Sequence, residues 1–276
     1  MVDLENIITA NVEVHTAAVD KYLNEPHYRP ENKIRIREIL QSLQRRTGGE
    51  KLLDVGCGMG FILDLAKEFF KVLRGVDVTP AMLERVILDG WGGDIKVELA
   101  RVENLPYADN SFDVCTAHAV LHHLHDIKPA LREINRVLKP GGIFYADLEP
   151  NSYFWTALQS IDPQKTTHEA VLREIQGVKD KDRQIAEEFH LRVETVQKAE
   201  YLKHVLGGFM EENLIAALDE AAFSKSEIQY QWFLGEAQII HDEVTRSSAS
   251  VLRDYLKNML PLTRHLFKYL MIFAQK

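Results

Sequence analysis

The sequence predicts an α/β fold, a mostly parallel seven-stranded sheet with helices on both faces. Three observations predict it. From Lys51 onward short β-rich runs alternate with helical segments, the pattern of strand–helix–strand crossovers. The first of these strands runs through three close-set glycines into a helical pattern, "LLDVGCGMGFILDLAKEFF" at 52–70, as where an α/β sheet brings its backbone against a ligand. A chain of 276 residues, 46% hydrophobic and 27% charged, has enough apolar material for one large domain.

Taken in order, residues 1–46 read as two amphipathic helices separated by "NEPHYRPEN"; Ile36, Ile39, Leu40 and Leu43 of the second recur at helical spacing. The candidate strands are "KLLDV" (51–55), "VLRGVDV" (72–78), "IKVELA" (95–100), "FDVCTAH" (112–118) and "IFYADLE" (143–149). Between them fall helices at 61–70, 80–89 and 128–138. Pro80 suits a first helical turn after the candidate N-cap Thr79, and "KPGG" at 139–142 closes the 128–138 helix with glycine. Residues 151–208 are helical and charged, an insertion after the fifth strand. Alternation resumes with a helix near 211–222, a strand near 226–234, a helical region near 242–260 and a last strand in "KYLMIFAQK".

Composition excludes several function classes. The net charge of −8, from 33 basic and 41 acidic residues, argues against a phosphate-backbone binder, so no nucleic-acid partner is expected. Two cysteines, Cys57 and Cys115, are too few for a disulfide framework and fit a reducing compartment. The first residues, "MVDLENIITANVEV", lack the basic start and apolar core of a signal peptide. No apolar run approaches the roughly 18 residues of a membrane-spanning helix. The expectation is a cytoplasmic protein. The basic, apolar "RHLFKYLMIFAQK" is better explained as a buried strand than as a membrane-surface helix.

The glycine turn poses the question of ligand. The dinucleotide fingerprint is G-x-G-x-x-G with an acidic residue about 20 positions on. Here Gly56, Gly58 and Gly60 form G-x-G-x-G, and Asp77 closes the second strand. Asp77 is suited to accept from a ribose diol. Nothing in 52–66 is basic, and Asp54 and Asp64 flank the turn. That sign suits a ligand with a cationic middle better than a pyrophosphate, although a helix N-terminus binds phosphate without basic side chains.

With these residues in place the chain resembles the class I S-adenosylmethionine-dependent methyltransferases, and most of all the branch of small-molecule and ubiquinone/menaquinone-biosynthesis enzymes. "LLDVGCGMG" (52–60), "GVDVTPAML" (75–83), "VENLPYADNSFDVCTAHAVLHHL" (102–124) and "LREINRVLKPGGIFYADLEPN" (131–151) carry the resemblance, in order, over about residues 50–150. It implies a Rossmann-like three-layer sandwich. It implies one domain over 1–276, with N-terminal helices (1–46), a cofactor-binding core (50–150 and 209–276) and a helical lid (151–208). It implies S-adenosyl-L-methionine as cofactor, held by Asp54, Gly56, Cys57, Gly58 and Gly60 of the first motif. Asp77 would hold the ribose, Val78 and Met82 would flank adenine, and His118 would lie beside the cofactor. The chain departs from the pattern at Arg101, where the family usually has an acidic residue for the adenine amino group. Arginine offers donors only, so that contact passes to Val102 and Glu103.

"HAVLHHLHD" gathers His118, His122, His123 and His125. His118 and His122 are four apart and Asp126 is near, a spacing that suits a metal. The resemblance instead places this segment beside cofactor and acceptor, and no metal is expected. His122 or His123 is the candidate general base. Glu149, Asn151, Tyr153 and Trp155, with Phe154, leave the fifth strand where substrate pockets form, and Tyr22, His27 and Tyr28 are candidate lid residues. The expected reaction is in-line transfer of a methyl group to a small organic acceptor, O- before N- or C-methylation, by a monomer or homodimer. A non-catalytic S-adenosylmethionine-binding protein and an NAD(P)-dependent oxidoreductase stay open as alternatives.

Overall fold

The computed structural model describes residues 3–24, 28–165, 169–236 and 243–276. His27 and its lid expectation lie outside them. Seven strands form one sheet: β1 (Lys51–Val55), β2 (Val72–Asp77), β3 (Asp94–Leu99), β4 (Phe112–His118), β5 (Leu138–Pro150), β6 (Lys225–Phe233) and β7 (Phe267–Gln275). Their order is β3-β2-β1-β4-β5-β7-β6. The first five pair in parallel, and β7 lies between β5 and β6, antiparallel to both.

Helices cover both faces because the central strands are apolar on both. On one face Leu53, Val55, Cys115, Ala117, Phe144, Ala146 and Ile272 pack against α5 (Ile127–Val137) and α11 (Glu211–Glu220). On the other, Leu52, Leu73, Val114, Ile143 and Tyr145 meet Ile36, Leu40 and Leu43 of α2 (Pro30–Thr47) and Ile62 and Leu65 of α3 (Phe61–Ala66). Of the expected stripe, Ile36, Leu40 and Leu43 are wholly buried core and Ile39 packs against it partly buried.

A polar clasp also ties α2 to the sheet. Arg35 donates to the buried Asp147 of β5 at 2.6 Å, and the Tyr145 hydroxyl donates to the same oxygen at 2.7 Å. Burial works to raise the Asp147 pKa, but Arg35, His118 and Tyr145 hold it below the usual carboxylate range. Asn32 accepts two bonds from the Arg35 guanidinium and keeps its fork in place.

Between β5 and α11 the chain forms α6 (Ser152–Ser160), α7 (Glu169–Lys179), α8 (Lys181–Phe189), α9 (Val193–Ala199) and α10 (Tyr201–Leu206). The N-terminal helix α1 (Leu4–Ala18), capped by Asp3, joins them. Its Ala10 and Val14 pack on Ala186 of α8 and on Val196 and Ala199 of α9. The last helix, α12, spans Glu243–Asn258. Among the described residues no helix is long and apolar enough to cross a membrane.

Three elements differ from expectation. The helix expected at 61–70 ends at Ala66, where the Phe69 amide bonds the Ala66 carbonyl in a tighter, 3-10-like turn. The helix expected at 80–89 is the single turn α4 (Pro80–Leu83), after which Val86 folds against Gly60 and a glycine-rich stretch follows. "KPGG" caps nothing. Helix α5 passes directly into β5 at Leu138, and the tetrapeptide forms an irregularity in pairing, Phe112 facing Leu138 and Val114 facing Ile143.

Arg35→Met leaves a buried carboxylate without its cation, so denaturant unfolding should register a loss of about 3–5 kcal/mol, partly recovered by adding Asp147→Asn. A loss below about 1 kcal/mol would show that the clasp is not what docks α2.

Candidate active site

The glycine turn sits at the carboxyl edge of the sheet, between β1 and α3. Gly56, Gly58 and Gly60 have φ of 64°, 51° and 84°. Two of them are also required by space: a Cβ on Gly56 would come within 2.6 Å of Val120, and one on Gly60 within 2.9 Å of Val86. Asp77 holds the turn from β2. Its Oδ2 accepts from Gly58 N at 2.9 Å and its Oδ1 from Thr79 N at 2.8 Å. Each carboxylate oxygen retains one acceptor site for a diol.

A cavity of about 820 Å³, counting its open mouth, lies over this turn. Of the residues expected at the cofactor, Gly56, Gly58, Asp77, Val78, Met82, Val102, Glu103 and His118 line it, as do His123 and Tyr22. Asp54, Cys57 and Gly60 do not line it. Asp54 is wholly buried and accepts from the Thr116 hydroxyl at 2.6 Å. Burial, with the nearby Asp77 charge, pushes its carboxyl up to about 8. Burial likewise raises the Cys57 thiol well above its ordinary range, which leaves it inert.

The α1 residues Leu4, Ile7, Ile8, Asn11 and His15 close the cavity from above, and sequence reasoning missed them. The available signal was Asn11, a polar residue on the apolar stripe of Ile7 and Val14. It is buried, and its amide donates to the Ile7 and His123 carbonyls. Arg101 stands where the adenine acceptor was expected, and its guanidinium is spent on Glu5 of α1, two bonds of 2.8 Å.

His118 ends β4, whereas His122 lies in the 3-10 turn Leu121–His123. The two therefore do not share a helix face. Burial lowers the His118 pKa to about 4. The His122 ring does not line the cavity; its Nδ1 lies 2.8 Å from Glu149 Oε2. His123 does line it, and its Nδ1 donates to the Ala199 carbonyl at 2.6 Å, which leaves the Nε2 lone pair uncommitted. Burial, followed by the His122 ring, holds the His123 pKa well below the ordinary value.

The residues expected at a substrate pocket after β5 are not brought to this cavity. Glu149 is wholly buried and gathers the amides of Val120, Leu121 and His122 at 2.9–3.0 Å. Asn151 caps α6 through Tyr153 N and donates to the Arg264 and Phe267 carbonyls. Tyr153 binds Glu212 and lies under the Arg264 guanidinium. Trp155 lines a separate cavity among the helices, with Lys203 over its ring. Tyr28 packs edge-on against Phe61 at 5.0 Å and against Tyr22 at 6.1 Å, beside the mouth.

Comparison with known proteins agrees with this geometry. Residues 53–146 match the family described as a methyltransferase domain. The chain is similar to methyltransferase GfsG of Streptomyces halstedii, 39% identical over 101 residues, 35% of this chain and 36% of that one. It is also similar to the demethylmenaquinone methyltransferase of Symbiobacterium thermophilum, 39% identical over 104 residues, 35% and 41% of the two chains. The matches thus span about two fifths or less of these relatives' lengths. An S-adenosylmethionine-dependent methyltransferase from Mesorhizobium loti shares the fold, with a TM-score of 0.52 at 18% identity over 87% of this chain and 96% of that one.

The raised pKa of Asp54 has a consequence for stability. Between the unfolded value near 4 and the folded value of about 8, the folded state holds a proton that the unfolded state has lost, so stability falls as pH rises through that window. Asp54→Asn has no such proton. Its melting temperature relative to the parent should climb between pH 6 and 8 and level off above; a constant difference would mean that Asp54 is ionised throughout.

Proposed function

We propose that this chain, which carries a class I S-adenosylmethionine-dependent methyltransferase domain, moves a methyl group to a small organic acceptor, and to an oxygen in preference to nitrogen or carbon. The observation that carries the reading is the make-up of the cavity. Among the described residues its lining holds Asp77 and Glu103 and no lysine or arginine. A pyrophosphate would face two carboxylates with no cation, while a sulfonium nucleoside finds a diol acceptor, an apolar shelf at Val78 and Met82 and exposed backbone at Gly56 and Gly58. The same balance disfavours an oxidoreductase using a dinucleotide.

Bound S-adenosylmethionine supplies a methyl group already activated on its sulfonium. The chain's own residues supply position, dryness and a proton acceptor. Holding reactants in line about 3–3.5 Å apart contributes several kcal/mol. Helix α1, with the helices of 151–208 acting as lid, excludes water. His123 takes the proton of an acceptor hydroxyl at Nε2, since Nδ1 is held by Ala199. His122 acts as a positioning residue through Glu149, and the aromatic pair Tyr22 and Tyr28 borders the acceptor. We take 1–276 to work as one domain, on a small molecule rather than a nucleic acid.

Calorimetric titration should give binding of S-adenosylmethionine and S-adenosylhomocysteine and none of NADH. Asp77→Ala should weaken that binding tenfold or more, since the ribose loses its acceptor and the Gly58 amide its partner; unchanged affinity removes the ribose assignment. A thermal-shift screen of metabolites with S-adenosylhomocysteine present identifies the acceptor. Against that acceptor His123→Ala should lower kcat about a hundredfold with cofactor affinity nearly unchanged. Equal turnover would remove His123 as base, whereas a screen in which no acceptor is methylated would favour the non-catalytic binding protein.

A further inference from the structure

We propose that His122, His123 and Glu200 form a binding site for a divalent transition-metal ion, zinc before magnesium or calcium. The ligand atoms these three residues offer lie within 4.8 Å of one another. No metal is expected from the sequence, where the resemblance places the histidine segment beside cofactor and acceptor and the candidate ligands are His118 and His122 with Asp126. The third member comes from the turn into α10, 77 positions beyond His123, and only the fold brings it in.

Three features distinguish this group from a chance cluster. Each imidazole is already held through its Nδ1 edge by an oxygen that only accepts: His122 by the Glu149 carboxylate at 2.8 Å and His123 by the Ala199 carbonyl at 2.6 Å. Both rings are thereby in the tautomer that presents Nε2 as a lone pair, and carboxylate or carbonyl support of this kind is what orients histidines that ligate metals. The rings lie side by side, with centroids 4.2 Å apart and planes 37° apart, which keeps both imidazoles next to Glu200. Glu200 supplies a carboxylate that neither the sheet nor the glycine turn uses.

Two nitrogens and one carboxylate oxygen suit zinc, and three protein ligands leave a position open. Four-coordinate zinc with bonds of about 2.0–2.2 Å needs ligand atoms roughly 3.4 Å apart. Closing from within 4.8 Å to that spacing asks these three side chains to shift together. The present competitor is Lys203, whose ammonium pairs with Glu200 and lies over the Trp155 ring. A metal ion would take the place of that cation. Occupancy commits the His123 lone pair, so metal binding and proton acceptance at His123 exclude one another; the site stands whether or not methyl transfer occurs.

The test uses the full chain, stripped with chelator and titrated with zinc chloride by calorimetry, with bound metal counted by elemental analysis. The expected result is one zinc per chain. Glu200→Gln, nearly isosteric, should weaken binding at least tenfold, and Lys203→Met, which removes the competing cation, should strengthen it. Cobalt(II) in place of zinc should give the intense visible bands of a four-coordinate site, lost in Glu200→Gln. Circular dichroism confirms that both variants fold. Absence of stoichiometric uptake by both the parent and Lys203→Met overturns the proposal. Equal uptake by the parent and Glu200→Gln also overturns it, because the zinc then sits elsewhere.

Discussion

Glu149 is the constraint on which the site depends. A carboxylate with no exposure to water must have its lone pairs filled, and this one takes three backbone amides and an imidazole from the segment after β4. Charge-assisted bonds of this sort contribute about 1.5–3 kcal/mol each in a dry setting. They fold residues 120–122 into a tight turn, press Val120 against Gly56 and aim His123 at the cavity. From His123 the chain of bonds continues to Ala199, so the helices after β5 are referred to the same anchor.

How Glu149 comes to point there is a matter of register. Ala146 faces Ile272 and Glu149 faces Leu270, so β5 spends three residues where β7 spends two. Leu148 absorbs the extra residue at φ 61°. Without it Asp147 and Glu149 would share a face. With it, Asp147 turns to Arg35 on the α2 side and Glu149 to the amides on the α5 side. One bulge thus serves both the clasp that docks α2 and the anchor that shapes the site. Ala119, also at positive φ, donates its amide to the Asp147 carbonyl beside them.

Charge follows the same economy. Three arginines that do not line the cavity are paired elsewhere, Arg101 with Glu5, Arg85 with Asp20 and Arg35 with Asp147. The first two tie the N-terminal segment to the strand side of the cleft. They are exposed pairs and hold weakly, and among the described residues the cavity lining carries no guanidinium. His118 and His123 stay neutral by burial, so the lining presents acceptors and π faces.

Local pattern was enough for the strands, their sequence order, the glycine turn and Asp77, because short apolar β-rich runs and a G-x-G-x-G before a helix are written within a few residues. Element ends were legible less well: α4 stops where Val86 meets Gly60, and "KPGG" joins a strand because its partner strand is there to pair with. Glu149 and Asn151 looked like pocket residues because they follow a strand end, and a register shift of one residue turned the first inward while the second became a cap. Helix α1 as roof, Arg101 bound to Glu5, and Glu200 beside His122 and His123 were illegible, since each joins residues far apart in the chain, 96 positions for Arg101 and Glu5. The sequence by itself determined which segments become sheet and where the glycine turn forms, because those depend on neighbours along the chain. Which side chains face the cavity was decided only by tertiary structure, because burial and the pairing of charges belong to elements that meet after the sheet has assembled.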